Sequence, residues 1–182
     1  MNNVAASLGQ QGKYAEAEAM QRQTLQLRET VLGKDHPDTL TSMNNVAAFL
    51  GQQGKYAEAE AMQRQTLHLK ETVLGNDHPS TLTSMNNLAK SLGQQGKYAE
   101  AEAMQRQTLQ LRETVLGEDH PNTLASMNNV AASLGQQGKY AEAEAMHRQT
   151  LQLREAVLGK DHPDTLVSMN NLAEAKAKQR QA

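Results

Sequence analysis

The sequence predicts an all-α solenoid of tandem helix–turn–helix units. This follows from a 42-residue period, helical spacing of the apolar residues, and a composition rich in Ala, Glu, Gln, Leu and Arg. Near-copies of one segment begin at Met1, Met43, Met85 and Met127, and a fifth begins at Met169 before ending in EAKAKQRQA. Such a period marks a supersecondary unit that buries its apolar face against its neighbours. We expect one repeat domain over residues 1–182, with a terminal capping helix at about residues 163–181.

The first helix of each unit is predicted to begin at the proline of the HP pair. Pro37 suits the first helical position, and the charge of Asp38 suits a helix N-terminus. We expect Gly51 and Gly54 to end the helix. Its apolar face recurs at helical spacing and comprises Leu40, Met43, Val46, Ala47 and Leu50.

The second helix is predicted to run from about Lys55 to Leu74, where Gly75 ends it. Its polar face comprises Glu58, Arg64, Gln65 and Glu71. Its predicted apolar face comprises Tyr56, Ala59, Met62, Leu67, Leu69, Val73 and Leu74. Two antiparallel helices per unit are therefore expected, repeated along a line.

The segment QGKYAEAE resembles the core of the tetratricopeptide repeat. Gly54, Tyr56, Glu58 and Ala59 occupy the motif positions, and leucines follow at 67 and 69. The 42-residue period, the HPDTLTSMNN entry and the LRETVLG exit are similar to kinesin light chains, and the resemblance covers essentially the whole chain. It implies a right-handed α–α superhelix whose concave face is lined by first helices. It also implies a non-catalytic scaffold that binds a protein or peptide segment in that groove.

The pattern departs from the usual repeat at several places. Met43 stands where a tryptophan is usual, and Ala47 where a glycine is usual. Gln63 and Thr66 stand where an aromatic residue and an alanine are common. These differences affect helix packing and curvature, so the detailed shape of the family's groove is not carried over.

One stripe beside the apolar face of the first helices is the candidate peptide site. One asparagine of it recurs in every copy, and a carboxamide can pair with both the N–H and the C=O of a peptide. Helices about 8–10 Å apart would place one asparagine at about every third residue of a chain that advances roughly 3.3 Å per residue. In kinesin light chains similar asparagines grip cargo peptides. The candidate residues are Asn44, Ala48, Gln52, Asn86, Lys90, Gln94, Asn128, Ala132 and Gln136.

Each of these assignments has a purely structural alternative. The recurring asparagines could be solvated, or could hydrogen-bond between helices with no ligand. Lys90 could select an acidic peptide or could simply be a solvated surface lysine. Phe49, which replaces a serine, is expected to fill space between neighbouring first helices, with a ligand contact as the alternative.

Other functions find little support in the sequence. The formal net charge of −2 disfavours nucleic acid, and the absence of cysteine excludes disulfides and thiolate metal sites. No apolar run approaches the ~20 residues of a membrane span. The start of the chain shows no secretory signal, so a cytoplasmic location is expected. We expect no cofactor and no bound metal.

Nor does any group of residues predict catalysis. His36 and its equivalents are expected to cap or pack the DHP loop, and the adjacent Asp35 to cap the helix. His68 and His147 are expected to be exposed. The glutamates of each EAE segment are expected on a solvated face, which does not suit acid–base chemistry.

The ends of the sequence suggest an alternative function. The chain begins midway through a first helix, so part of the following helix around Leu25, Leu27, Val31 and Leu32 is expected to lack its cover. Open ends on near-identical units favour end-to-end association. The alternative is therefore an architectural spacer or self-associating array, within a longer protein of which this chain would be a fragment. The near-identity of the copies fits either recent duplication or a consensus design.

Overall fold

The chain folds into helices alone over the residues that the structure describes, as the repeat predicts. The computed structural model describes Val4, Ser7, Leu8 and residues 11–181, and these contain eight helices and no strand. The helices are α1 (Tyr14–Leu32), α2 (Pro37–Gln52), α3 (Tyr56–Leu74), α4 (Pro79–Gln94), α5 (Tyr98–Leu116), α6 (Pro121–Gln136), α7 (Tyr140–Leu158) and α8 (Pro163–Gln181). The predicted all-α fold of tandem helix–turn–helix repeats is confirmed.

The chain divides into two compact units, Met1–Gln95 and Gly96–Ala182. In unit 1, α1 packs on α2, α2 on α3, and α3 on α4. In unit 2, α5 packs on α6, α6 on α7, and α7 on α8. The even-numbered helices are the first helices of their repeats and the odd-numbered ones are the second helices.

A histidine, rather than an aspartate, caps each first helix. The Nδ1 atom of His36 accepts a hydrogen bond of 3.1 Å from the backbone N–H of Asp38. An Nδ1 that accepts belongs to a neutral ring protonated at Nε2. The predicted capping role of the histidine is confirmed, and that of Asp35 is wrong, because Asp35 lies one residue before the cap and is exposed. The same bond recurs from Ser80 to His78, from Asn122 to His120 and from Asp164 to His162.

The turn between the two helices depends on one glycine of the LGQQG segment. Gly54 has φ +77°, in the left-handed region that favours glycine, so its predicted role is confirmed. Gly51 does not end the first helix, because α2 continues through it to Gln52. After the second helix Gly75 has φ +93° and ends α3 where the sequence predicts.

The apolar stripe of the first helix forms the core, as predicted. In unit 1 the core cluster comprises Leu25, Leu40, Met43, Val46, Leu50 and Ala59. In unit 2 one cluster joins Val130, Leu134 and Ala143. The second helices differ more from expectation. Gln63, Thr66 and Lys70 are buried, whereas Val73 is exposed.

Buried glutamates tie the interhelical turns to the second helices, which the sequence does not predict. Glu18 of α1 is buried and accepts a bond of 2.7 Å from Arg22 on its own helix. It also accepts from Gln53 at 2.7 Å and from Lys55 at 3.0 Å, both in the turn between α2 and α3. The second glutamate of EAE is therefore a structural anchor, and its predicted place on a solvated face is wrong.

The same arrangement recurs in unit 2 and lowers the pKa of the glutamate. A hydrogen bond from Lys139 lowers the pKa of Glu102; burial opposes this effect, and further bonds from Arg106 and Gln137 bring the value to about 2. For Glu18, burial raises the pKa, but the bonds from Arg22, Gln53 and Lys55 outweigh it and also bring it to about 2. Each carboxylate thus stabilises the fold in its charged form.

We expect Glu102→Gln to lower the stability of the protein and to weaken its acid dependence. A glutamate with a depressed pKa stabilises the fold above its ordinary value of about 4.5, and that contribution is lost as the pH falls towards about 2. Urea unfolding midpoints at several pH values between 2 and 7 would measure this contribution to stability, with exposed Glu142→Gln as the matched control. The same pH dependence in both variants would contradict the anchoring role.

Candidate functional site

The candidate groove residues lie on the first helices, where most of them are exposed. In unit 1, Ala48 and Gln52 of α2 and Lys90 and Gln94 of α4 are exposed. In unit 2, Ala132 and Gln136 of α6 are exposed. The asparagines of the stripe, Asn44, Asn86 and Asn128, are half-buried instead. Each helix thus presents an exposed end of its stripe and a more enclosed asparagine.

Two of these asparagines hydrogen-bond to the next first helix of their own unit. In unit 1 the Nδ2 atom of Asn44 donates to Ser84 Oγ at 2.9 Å, while its Oδ1 is buried and bonds to none of the described residues. In unit 2 the Oδ1 atom of Asn128 accepts from Asn171 Nδ2 at 2.8 Å. The inter-helix role considered as the structural alternative is therefore present, and contact with a ligand stays a prediction.

A cation on each second helix, half-buried in α1 and buried in α3, α5 and α7, anchors the following first helix. The Nη1 atom of Arg112 donates to the backbone oxygen of Asn122 and to Ser126 Oγ, both at 2.8 Å. Arg154 makes the same pair of bonds with Asp164 and Ser168. Burial lowers the pKa of both arginines, although the charge of Asp164 opposes this for Arg154. Every copy of the repeat has a lysine or arginine at this position, and this recurrence is the feature of the sequence from which the anchoring role could have been predicted.

The second copy has a lysine at this position, and its contacts differ. Lys70 Nζ donates to the backbone oxygen of Ser80 at 3.2 Å, and burial lowers its pKa. Ser84 Oγ, equivalent to the serine that Arg112 reaches, here accepts from Asn44. Because Lys70 bonds to Ser80 alone among these two residues, the hydroxyl of Ser84 accepts its hydrogen bond from Asn44 instead of from the cation.

A pocket in unit 2 contains the three candidate residues of α6. It has a volume of about 330 Å³ and lies among α6, α7 and α8. Residues of all three helices line it. The residues that line it are Asn128, Ala131, Ala132, Gly135, Gln136, Tyr140, Ala143, His147, Asn171, Glu174, Ala175 and Lys178.

His147 is buried in the wall of this pocket, so its predicted exposure is wrong. It stands at the position of Gln21, Gln63 and Gln105, which are also buried. Helical periodicity placed it beside the polar face, but the flanking first helices cover that angle of α7. Burial lowers the pKa of His147, with the charge of Glu174 opposing, so the ring is neutral near pH 7. By contrast His68 is exposed, as predicted.

Phe49 fills space inside unit 1. It is buried and clusters with Ala17, while Leu8, Tyr14 and Met20 pack against the pair. The expected space-filling role is confirmed, although most of its contacts are with the preceding second helix α1. A side chain buried in this way does not offer a surface to a ligand.

The described residues offer neither a cluster of metal ligands nor a membrane-spanning helix. Among them no three His, Cys, Asp or Glu side chains are grouped so that they could hold a metal ion. None of the described helices is long and apolar enough to cross a membrane.

The repeated helix pairs define a helical tandem-repeat protein, and comparison with known proteins gives the family. Models described as tetratricopeptide repeat match residues 1–72, 81–122 and 123–164. The chain therefore belongs to the tetratricopeptide repeat family. A comparison with curated protein sequences found no match.

Solved structures support the kinesin light chain type of repeat. Two crystal structures, one of them a point variant, come from a proposed kinesin light chain of Podosopora anserina with nearly identical TPR-like repeats. Both are 27% identical and cover 99% of this chain and 85% of theirs, with TM-scores of 0.87 and 0.86. BtubC (BKLC) from P. vanneervenii is 22% identical over 96% of this chain and 70% of its own, with a TM-score of 0.83, and shows the fold alone.

We expect Arg112→Lys to destabilise unit 2 by about 1–2 kcal/mol. A lysine in this place would keep one carbonyl contact and lose the second bond, to Ser126, as the Lys70 copy illustrates. The midpoint of urea unfolding would measure the loss, with exposed Arg180→Lys as the control. Equal midpoints for the two variants would show that the double bond does not anchor α6.

Proposed function

We propose that the protein is a non-catalytic interaction scaffold that binds a peptide or protein segment along the exposed stripes of its first helices. Membership of the tetratricopeptide repeat family supports an interaction role in general. The choice of this surface is supported by one observation, the contrast between the exposed faces of the first helices and those of the second helices.

The second helices expose a row of arginines, each paired with a largely enclosed glutamate of its own helix. Arg22 pairs with Glu18 at 2.7 Å, and Arg64 with Glu60 at 2.9 Å. Arg106 repeats the arrangement with Glu102. The exposed guanidinium groups are in contact with water, and covering them with a partner is costly. These faces are therefore poor places for a peptide to bind.

The stripes of the first helices α2, α4 and α6 are nearly uncharged and rich in carboxamides. Gln52 and Gln94 supply donors and acceptors, and Ala48 lets a ligand backbone approach closely. Lys90 is the charged member of the unit 1 stripe and favours a ligand with an acidic side chain near it. A peptide can replace water on this surface at a lower desolvation cost than on the second helices.

We expect a displayed peptide pool to yield a shared motif on the parent chain and none on an Ala48→Arg/Ala132→Arg variant. Both alanines are exposed, so the arginines obstruct the stripes without disturbing the inter-helix bonds of Asn44 and Asn128. The matched control is Ala61→Arg/Ala145→Arg, on exposed positions of α3 and α7. Circular dichroism should confirm equal helix content in all three.

Two results would count against this function. Failure of the parent to enrich any motif would leave the stripes without a ligand. Enrichment that survives arginine at positions 48 and 132 but not at 61 and 145 would place binding on the second helices.

An alternative function, a self-associating array or architectural spacer, is favoured by exposed apolar residues on α8. Leu166 is 48% exposed and Met169 44%, whereas Leu40 and Met43, at the same positions in α2, are 0% and 4% exposed. In unit 1 a following second helix, α3, packs against this face of α2. A second copy could supply such a helix to α8.

On this alternative, the average mass should rise with protein concentration and fall to that of one chain in Leu166→Lys/Met169→Lys. Sedimentation equilibrium would measure it, with Val115→Lys, at another exposed apolar position, as the control. A mass equal to one chain at every concentration would rule the self-association out.

A further inference from the structure

We propose that the pocket of unit 2 binds the carboxamide side chain of a glutamine or asparagine in a peptide. This inference rests on the proposed function, since Asn128, Ala132 and Gln136 belong both to the pocket and to the α6 stripe. The volume of about 330 Å³ falls within the range of about 300–1,000 Å³ that is usual for small-ligand sites.

Two unlike stripes and one second helix build the pocket. The α6 stripe is uncharged, whereas α8 carries Glu174 and Lys178 at the positions where α2 has Ala48 and Gln52. Between them α7 contributes Tyr140, Ala143 and His147. The charged stripe and the buried histidine occur together in this unit.

The pocket carries no net charge near neutral pH. Lys178 Nζ lies 2.7 Å from Glu174 Oε1, so the two charges neutralise each other at the rim. The hydrogen bond and charge of Lys178 lower the pKa of Glu174, which keeps the carboxylate ionised. His147 is neutral, because burial lowers its pKa against the opposing effect of Glu174. A charged ligand group would therefore leave water without gaining an unpaired counter-charge, a penalty that an uncharged polar group avoids.

The hydrogen-bonding groups of the pocket match an amide. His147 is only 6% exposed, and its Nδ1 is buried and bonds to none of the described residues, so in the neutral ring protonated at Nε2 it is an acceptor without a partner. The bond between Asn128 and Asn171 occupies Oδ1 of the first and Nδ2 of the second. Asn128 still carries its amino group and Asn171 its carbonyl oxygen. A carboxamide has two N–H donors and a carbonyl acceptor, and can bond to both kinds of group at once.

The walls suit the aliphatic part of such a side chain. Ala131, Ala132, Ala143 and Ala175 line the pocket, so methyl groups form part of its wall. Glutamine places two methylenes before its carboxamide, and these would contact the alanines while the amide meets the asparagine pair and His147. Asparagine has one methylene and would enter less deeply.

The test is an NMR titration of the full chain, labelled with ¹⁵N in histidine, with three capped amino acids. The probes are N-acetylglutamine amide, N-acetylglutamate amide and N-acetyllysine amide. We expect a saturable shift of the His147 ring nitrogens with the glutamine probe, and none at the exposed His68. Signals are assigned with His147→Gln, which restores the residue of the other copies.

A blocking variant distinguishes the pocket from a general effect of the probe. Ala132→Arg, at an exposed lining position, should abolish the response of His147 to the glutamine probe. Ala145→Arg, exposed on α7 and outside the lining, should leave it unchanged. Loss of the response in both variants, or in neither, would overturn the assignment of the pocket.

The outcomes separate this inference from the proposed function. A stronger response to the glutamate or lysine probe, or no response to glutamine, would overturn the carboxamide preference. Displayed peptides that bind through the stripes would still support the scaffold. A glutamine response with no enriched peptide would uphold the pocket and reject the proposed function.

Discussion

The rest of the structure depends on covering the apolar face of each first helix from two sides. Leu40 and Leu124 are 0% exposed, because each lies between the second helix before it and the one after it in its own unit. Leu166, at the same position in α8, is 48% exposed. The preceding helix α7 alone does not bury this face. Hydrophobic burial thus depends on the packing of consecutive repeats, as expected when a repeat cannot bury its own apolar surface.

Polar contacts determine how the helices meet once apolar burial has brought them together. Glu18 joins its helix to the next turn through Gln53 and Lys55, and Arg112 joins its helix to the start of α6. These side chains are largely removed from water, where an unpaired charge is costly and a well-paired one restricts the geometry. The buried polar contacts therefore add geometric specificity to the apolar packing.

The sequence predicted the fold and the helix bounds well, because these depend on local chemistry. The proline after each histidine, Gly54 in its left-handed turn, and the Leu40 stripe act within a few residues of themselves. The sequence wrongly predicted Glu18 and His147 to be exposed to solvent, and it gave no prediction for the burial of Lys70. Periodicity gives the angle of a side chain around its own helix, but not how far neighbouring helices cover that angle. Most members of the candidate stripe are exposed on the first helices, and their contact with a ligand stays a prediction. The sequence did not predict the bonds of the stripe, such as that from Asn44 to Ser84, because these depend on which cation follows on the next second helix.

The few positions at which the copies differ are therefore the places where one repeat can acquire properties that the others lack. With Lys70 in place of arginine, the hydroxyl of Ser84 bonds to Asn44, so a substitution on a second helix changes the hydrogen bonding of a stripe residue on a first helix. His147 in place of glutamine puts a titratable ring in the wall of the unit 2 pocket, and Glu174 and Lys178 place a charge pair at its rim. The repeated residues are occupied in holding helix against helix. If the proposed function holds, ligand selectivity would therefore come from the exposed stripe positions and from these substitutions.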